Sequence, residues 1–312
     1  MPSHSCVVEE NIPPDLRLDR YVAEYLKLLS RSQIKARSLS ARLNGKCIKI
    51  SRILKAGDRL DLSWNDSQPA DIIPEDLPLD IIYENDDLAV INKAQGMVVH
   101  PGAGNHSGTL ANALLFRKRN LNSGEIFRPG IVHRLDKDTS GVIVVAYNDS
   151  TLKFLSDQFK SRLVKKTYTA IVSGTLPAQC GRIETRITRD ERNRKKFTVS
   201  TEKGKTALTF YKVIRSWKNY SLLLLRPKTG RTHQLRVHLR CLGNPILGDP
   251  LYSAPDRNFP QASLMLHAKR LTILLPKERD KKTFKAPLPP RFKELIRKLD
   301  AQPRQTKHQP FR

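Results

Sequence analysis

Apolar positions between residues 16 and 29 recur at helical intervals. Leu18, Tyr21, Val22, Tyr25, Leu26 and Leu29 share one face, as i, i+3, i+4 repeats do on an amphipathic helix. The spacing predicts a helix over 16–29. Ser30 or Ser32 offers the N-cap of a second helix, whose polar face would carry Arg31, Lys35, Arg37 and Arg42. The period then drops to two. Asn44-Gly45 and Gly57-Asp58 are turn pairs, and around them Ile48 and Ile50, then Leu60, Leu62 and Trp64, alternate with polar residues. This predicts a short β-hairpin after the two helices. Residues 15–64 thus form a small module whose core is limited by its size and whose basic face suits binding.

Residues 65–78 break the pattern. NDSQPADIIPEDLP has three prolines and no period, and reads as a linker. The larger domain, 79–300, opens with two strand-like runs, LDIIYE (79–84) and LAVINK (88–93), followed by a loop over 96–108 and a helix from Thr109. Strand patterns return at 142–147, 167–173, 182–187, 205–215 and 219–226, and helical ones at 150–161, 231–242 and 291–300. Strands without regular helix alternation predict an α+β fold with a mixed, mainly antiparallel sheet. The last segment, 301–312, is a polar tail without a packing pattern and is expected to be disordered.

Composition narrows the partners. Among 312 residues there are 56 Lys and Arg against 30 Asp and Glu, a net charge of +26. Such a surplus points to a polyanion, nucleic acid first. The charge is uneven. Residues 66–100 hold eight acids and one lysine, while 101–312 hold 43 basic and 15 acidic side chains. No apolar run nears the ~20 residues of a membrane span, and MPSHSCVVEE lacks signal-peptide character, so a cytoplasmic protein with no membrane partner is expected. The cysteines at 6, 47, 180 and 241 show no CxxC spacing; reduced thiols are expected, and no zinc site. His233 and His238 are five apart, without a metal-binding motif around them. No Gly-rich phosphate loop is present either, because GAGNHSG (102–108) lacks the GK[ST] ending.

The segment richest in chemistry is RPGIVHRLDKDTSGVIVVA, residues 128–146. A turn at Pro129-Gly130 and a buried strand at 142–146 bracket a polar stretch. There Asp136 and Asp138 stand among His133, Arg134 and Lys137. By spacing alone, this is either a catalytic carboxylate or a salt-bridged turn. A second polar concentration, RIETRITRDERNRKKF (182–197), carries seven basic and three acidic residues, including Arg192, Arg194, Lys195 and Lys196. It reads as an exposed hairpin that either meets solvent or contacts RNA phosphates.

HRLDKDTSG with its flanks closely resembles the catalytic motif of RluA-type pseudouridine synthases. Three further blocks follow in that family's order: KKTYTAIVSG (165–174), LLLRPKTGRTHQLRVHL (223–239) and NPILGDPLY (244–252). The likeness spans residues 15–276, and four ordered blocks are far more specific than one motif. Residues 15–64 resemble the RNA-binding module named after small-subunit ribosomal protein four. The resemblance implies an isomerase that converts uridine to pseudouridine in RNA, most often large-subunit ribosomal RNA and alternatively transfer RNA. It makes Asp136 the essential aspartate, Arg134 the arginine that replaces the flipped base, Tyr168 the active-site tyrosine and Arg231 the basic partner of the aspartate.

The rearrangement exchanges no atoms or electrons with a cofactor, so none is expected, and nothing calls for more than a monomer. Asn244 stands where the family pattern leads one to expect His, and Ser253 where Gly is common. A non-catalytic RNA-binding or ribosome-assembly factor is the rival from another class. A glycosylase or nuclease would need a water-activating group or a metal cluster.

Overall fold

Alternation of buried and exposed side chains builds the first sheet. In the computed structural model, which describes residues 2–29, 34, 38–65, 72–102, 104–119 and 130–301, contacts divide the chain into Met1–Asp71 and Ile72–Arg312. The first unit has a four-stranded antiparallel sheet of β1 (Ser3–Val7), β2 (Ser40–Leu43), β3 (Lys46–Ile48) and β4 (Arg59–Ser63), ordered β1-β4-β2-β3. Leu60 and Leu62 point inward from β4 onto Leu16, Leu18, Tyr21, Val22 and Leu54. Asn44 and Gly45, both at positive φ, turn β2 into β3, as the Asn-Gly pair predicts.

The expected helix over 16–29 is shorter. α1 (Leu18–Arg20) runs into a π-helical turn at Tyr21–Tyr25, and Lys27 takes a positive φ of 51°. Leu18, Tyr21 and Val22 still bury their i, i+3, i+4 face. Strand β1 begins before residue 15 and went unpredicted. Most of the second helix expected from Ser30 or Ser32, residues 66–71 of the expected linker and the tail beyond 301 lie outside the described residues. Arg42, expected on that helix's polar face, lies instead in β2, paired with β3 and β4.

The second unit is mixed α+β, as the irregular strand spacing predicts. Its sheet contains β5 (Ile81–Glu84), β6 (Leu88–Lys93), β7 (Gly130–Ile131), β8 (Ser140–Ala146), β9 (Lys165–Ser173), β10 (Cys180–Arg189), β11 (Phe197–Ser200), β12 (Lys205–Ser216), β13 (Tyr220–Pro227), β14 (Leu266–Leu274) and β15 (Lys281–Lys285). The main path is β11-β10-β12-β13-β9-β14-β8-β6-β5, with β7 on β8 and β15 on β14. Every pairing is antiparallel except β14 with β8. All seven residues of β8 are buried, which is why its sequence reads as an unbroken apolar run.

At the parallel junction the backbones approach closely. A Cβ on Gly141, at φ 114°, would stand 2.2 Å from the carbonyl oxygen of Ala268. Helices α2 (Leu110–Arg119), α3 (Asp149–Lys160), α4 (Gln234–Cys241) and α5 (Pro290–Asp300) complete this unit. Asn148 caps α3 by accepting the Thr151 N–H at 2.9 Å, and α5 buries Phe292, Leu295 and Leu299. Glu75, within the expected linker, accepts the Gly108 N–H and donates its own N–H to the Asn112 carbonyl.

Candidate active site

The loop 133–139 leads into β8 and is held by its backbone, which leaves its side chains available. His133 stacks on Phe159, ring centroids 4.6 Å apart, and its Nε2 accepts the Val144 N–H at 3.1 Å. Burial, with Lys166 nearby, pushes its pKa down to about 3, so the ring is a neutral acceptor. The Thr139 N–H closes a turn on the Asp136 carbonyl at 3.0 Å. From behind, the Gly96 N–H and the Lys93 ammonium donate to the Lys137 carbonyl at 2.9 and 3.1 Å. Gln95 donates to the Asp138 carbonyl at 3.0 Å. Lys93 is 1% exposed and also holds the Ala94 and Met97 carbonyls at 2.8 Å. Burial lowers its pKa to about 8, against the pull of Asp138 and Asp136.

Asp136, half-buried in the loop that leads into β8, faces α4. Arg236 of that helix places Nη1 3.4 Å from its Oδ2. The same guanidinium grips Asp249 with Nε and Nη2, both at 2.7 Å. Asp249 Oδ1 also accepts the N–H groups of Leu251 and Tyr252. The Arg236 and Asp249 side chains are 4% and 0% exposed. Burial opposes the charge on Arg236, but the two carboxylates outweigh it and raise its pKa. A fork fixed this way aims its remaining nitrogen at Asp136 with little freedom.

This corrects the expectation for Arg231. Its Nε donates to the Thr206 carbonyl at 3.0 Å, and it lines the pocket away from the carboxylate pairing that Arg236 makes. The predicted helix start at 231 falls three residues early, since α4 begins at Gln234 after His233 at φ 54°. Arg231 therefore precedes the helix, while Arg236 lies in its first turn and faces Asp136. His233 sits with Nε2 3.9 Å from Asp136 Oδ2 and Nδ1 2.9 Å from the Tyr252 hydroxyl. Burial lowers its pKa although Asp136 pulls the other way.

Tyr168 of β9 and the exposed Arg134 line the same pocket as Asp136, a hollow of about 470 Å³. That volume falls within the ~300–1,000 Å³ of small-molecule sites. Burial, with the Asp136 carboxylate nearby, raises the pKa of Tyr168, which keeps it a neutral phenol at pH 7. Across the mouth, the charge of Arg134 acts on His100 and His233.

Arg192, Arg194 and Lys195 are exposed on the turn between β10 and β11, and Lys196 is half-buried. Asp190 shapes that turn by accepting the N–H groups of Arg192 and Asn193. Beyond the turn, the Phe197 N–H donates to the Tyr252 hydroxyl at 2.8 Å, linking the hairpin to His233. Arg31, Lys35 and Arg37 lie outside the described residues. Among the described residues there is no cluster of metal-ligating side chains and no helix long and apolar enough to cross a membrane.

Residues 87–240 match the family model described as RNA pseudouridylate synthase. The chain is 45% identical over 294 residues to the ribosomal large subunit pseudouridine synthase D of Borreliella burgdorferi, covering 91% of this chain and 89% of that one. It is 40% identical to an uncharacterized RNA pseudouridine synthase of Aquifex aeolicus, covering 91% and 94%. The structure of human RNA pseudouridylate synthase domain containing 4 is similar, with a TM-score of 0.60 and 28% identity over 71% of this chain and 93% of that chain.

Proposed function

Because the chain belongs to the RNA pseudouridylate synthase family, we propose that this isomerase acts on uridines of large-subunit ribosomal RNA, with Asp136 as its catalytic carboxylate. The choice of RNA follows its 45% identity to a ribosomal large subunit enzyme. The observation that carries the site assignment is the pairing of Asp136 with a guanidinium that Asp249 holds in place.

The reaction breaks the N1–C1′ bond, turns the uracil and joins C5 to C1′. A stacked base is out of reach, so the uridine must first be flipped, at a cost of a few kcal/mol. Arg134 at the pocket mouth enters the vacated position and offsets part of that cost. Asp136 either attacks C1′ and expels uracil through N1, or removes the 2′ proton as N1 departs to give a glycal and returns that proton when C5 joins C1′. C5 then loses its proton to the carboxylate or to solvent and N1 gains one, so the sum is an isomerisation. Both roles of Asp136 need an unencumbered carboxylate oxygen. Arg236 steadies the carboxylate. Tyr168, held neutral, packs against the ring and donates a hydrogen bond more readily than it accepts the C5 proton. Arg192, Arg194, Lys195 and Lys196, with Arg31, Lys35 and Arg37 of the small module, contact phosphates, which position the RNA without reading its sequence. The enzyme acts as a monomer in the cytoplasm and without a cofactor.

The test is to incubate wild type and Asp136→Ala with transcripts of large-subunit ribosomal RNA and of transfer RNA, then map pseudouridine. Wild type should modify the ribosomal transcript, and the variant should form no product while binding RNA with Kd within about threefold of wild type. Product from Asp136→Ala would remove the catalytic assignment. Modification of transfer RNA alone would remove the substrate.

A further inference from the structure

The pocket holds more positive charge than its reaction centre uses. Besides Arg236, six cations line it, against the single carboxylate of Asp136. Lys166 stands apart among them. It lies two residues before Tyr168 on β9, so both side chains leave the same face of the strand. It is half-buried and, among the described residues, forms no ion pair with a carboxylate. Its ammonium lies 6.0 Å from the Phe159 ring centroid. A Cβ built on Gly230 would find it as the nearest neighbour, at 3.6 Å.

The far wall at this point is rigid. Thr229 accepts the Leu208 N–H at 2.9 Å and donates to Gln234 Oε1 at 2.7 Å. Gln234 Oε1 also takes the Arg231 N–H at 3.0 Å, and both Thr229 and Gln234 are buried. Gly230 is therefore fixed opposite Lys166, and having no side chain it leaves the ammonium open to the pocket. Burial lowers the pKa of Lys166, and no carboxylate offsets that cost. A cation kept in such a place is stabilised when an anion arrives. Lys160, Arg162 and Lys228 line the same pocket.

We propose that Lys166, across from Gly230 in a pocket also lined by Arg162 and Lys228, is a phosphodiester subsite that holds the RNA backbone beside the flipped uridine. This rests on the reading of the pocket as a pseudouridine synthase site. Lys166 is a positioning residue: it grips the strand, while Asp136 meets the sugar. The anion is phosphate and not a carboxylate because the family's substrate supplies one phosphate per nucleotide, and three further cations, Lys160, Arg162 and Lys228, line the same pocket.

The test uses full-length wild type, Lys166→Gln and Lys166→Arg with the ribosomal and transfer RNA transcripts. On whichever transcript wild type modifies, Kd is measured from low to moderate salt, alongside single-turnover rates. Lys166→Gln should raise Kd about tenfold, as loss of a hydrogen bond to a charged group does. It should also reduce the slope of log affinity against log salt by ~0.7, the value for one contact to a single strand. Lys166→Arg should restore the slope and most of the affinity. A Lys166→Gln enzyme with wild-type Kd and slope would overturn the subsite, as would loss of rate with the salt slope unchanged or failure of arginine to rescue. A wild-type enzyme that modifies neither transcript would instead count against the functional reading, a result distinct from any of these.

Discussion

At the scale of single residues, the site depends on a buried arginine serving two carboxylates. Arg236 spends two nitrogens on Asp249 and offers the third to Asp136. Lysine presents a point charge and cannot reproduce a fork. Arg236→Lys should therefore lower kcat by about 10²-fold, the scale of losing one well-placed electrostatic donor, with little change in RNA affinity. Arg231→Lys should leave kcat within about threefold of wild type, because Arg231 reaches the Thr206 carbonyl. Single-turnover kinetics on both variants checks the pair; the reverse ranking would return the pairing role to Arg231. The sequence made Asp136, Arg134 and Tyr168 legible as pocket residues because each lies in a short motif. It did not distinguish the two arginines of GRTHQLRVHL, since their facing depends on where a helix begins. One signal was present: Arg236 stands among Leu235, Val237 and Leu239, and an arginine buried with such neighbours must find a carboxylate. Asp249, in the last family block, is that carboxylate.

At the scale of elements, what could be read was set by local period: α3 and α5 end within one residue of their expected spans. β6, β8, β9, β10, β12 and β13 all fall within a few residues of their expected spans, because period two and β-branched runs are local signals. The π-helical turn at Tyr21–Tyr25 and the strands β1, β7, β11, β14 and β15 depend on tertiary pairing and went unread. Pairing also explains two buried histidines. His238 of α4 bridges Thr185 of β10 and Thr209 of β12, at 3.0 and 2.9 Å. His267 of β14 meets the Ser140 hydroxyl of β8 at 2.9 Å, which in turn accepts from Arg291 of α5. Burial pushes each histidine down to about 4, with Arg291 adding to the effect at His267. The unfolded chain, with histidines near 6.5, binds more protons than the native state between pH 6.5 and 4, so stability is lost as pH falls through that window. With on the order of 4 kcal/mol withdrawn by the pair and about 2–4 °C per kcal/mol for a domain of this size, Tm should drop by about 8–16 °C between pH 6.5 and 4.5, with His133, held down to about 3, adding to the fall. Scanning calorimetry across that range gives the answer, and a flat Tm would mean the two histidines protonate without opening these contacts.

At the scale of the whole molecule, the hydrophobic clusters respect the division of the chain. One cluster draws only on residues of the first unit, and the others draw only on residues of the second. The second unit therefore keeps its entire core if the first is removed, and every pocket residue lies in it. Charge is divided less evenly than size. Residues 1–65 carry twelve basic and seven acidic side chains, whereas 101–312 carry 43 and 15. Counterion release follows phosphate contacts, about 0.7–0.9 in the salt slope for each, so most of the slope should remain with the second unit. Deleting residues 1–71 should leave kcat at saturating RNA within about threefold of the full chain and lower the salt slope by about 1–3. It should also raise Kd about tenfold, consistent with the loss of a few phosphate contacts at moderate salt. Pseudouridine formation and filter binding at several salt concentrations measure all three. An inert truncated enzyme with an intact thermal transition would place part of the active site in the small module. An unchanged Kd and slope would mean that Arg31, Lys35 and Arg37 play no part in holding this RNA.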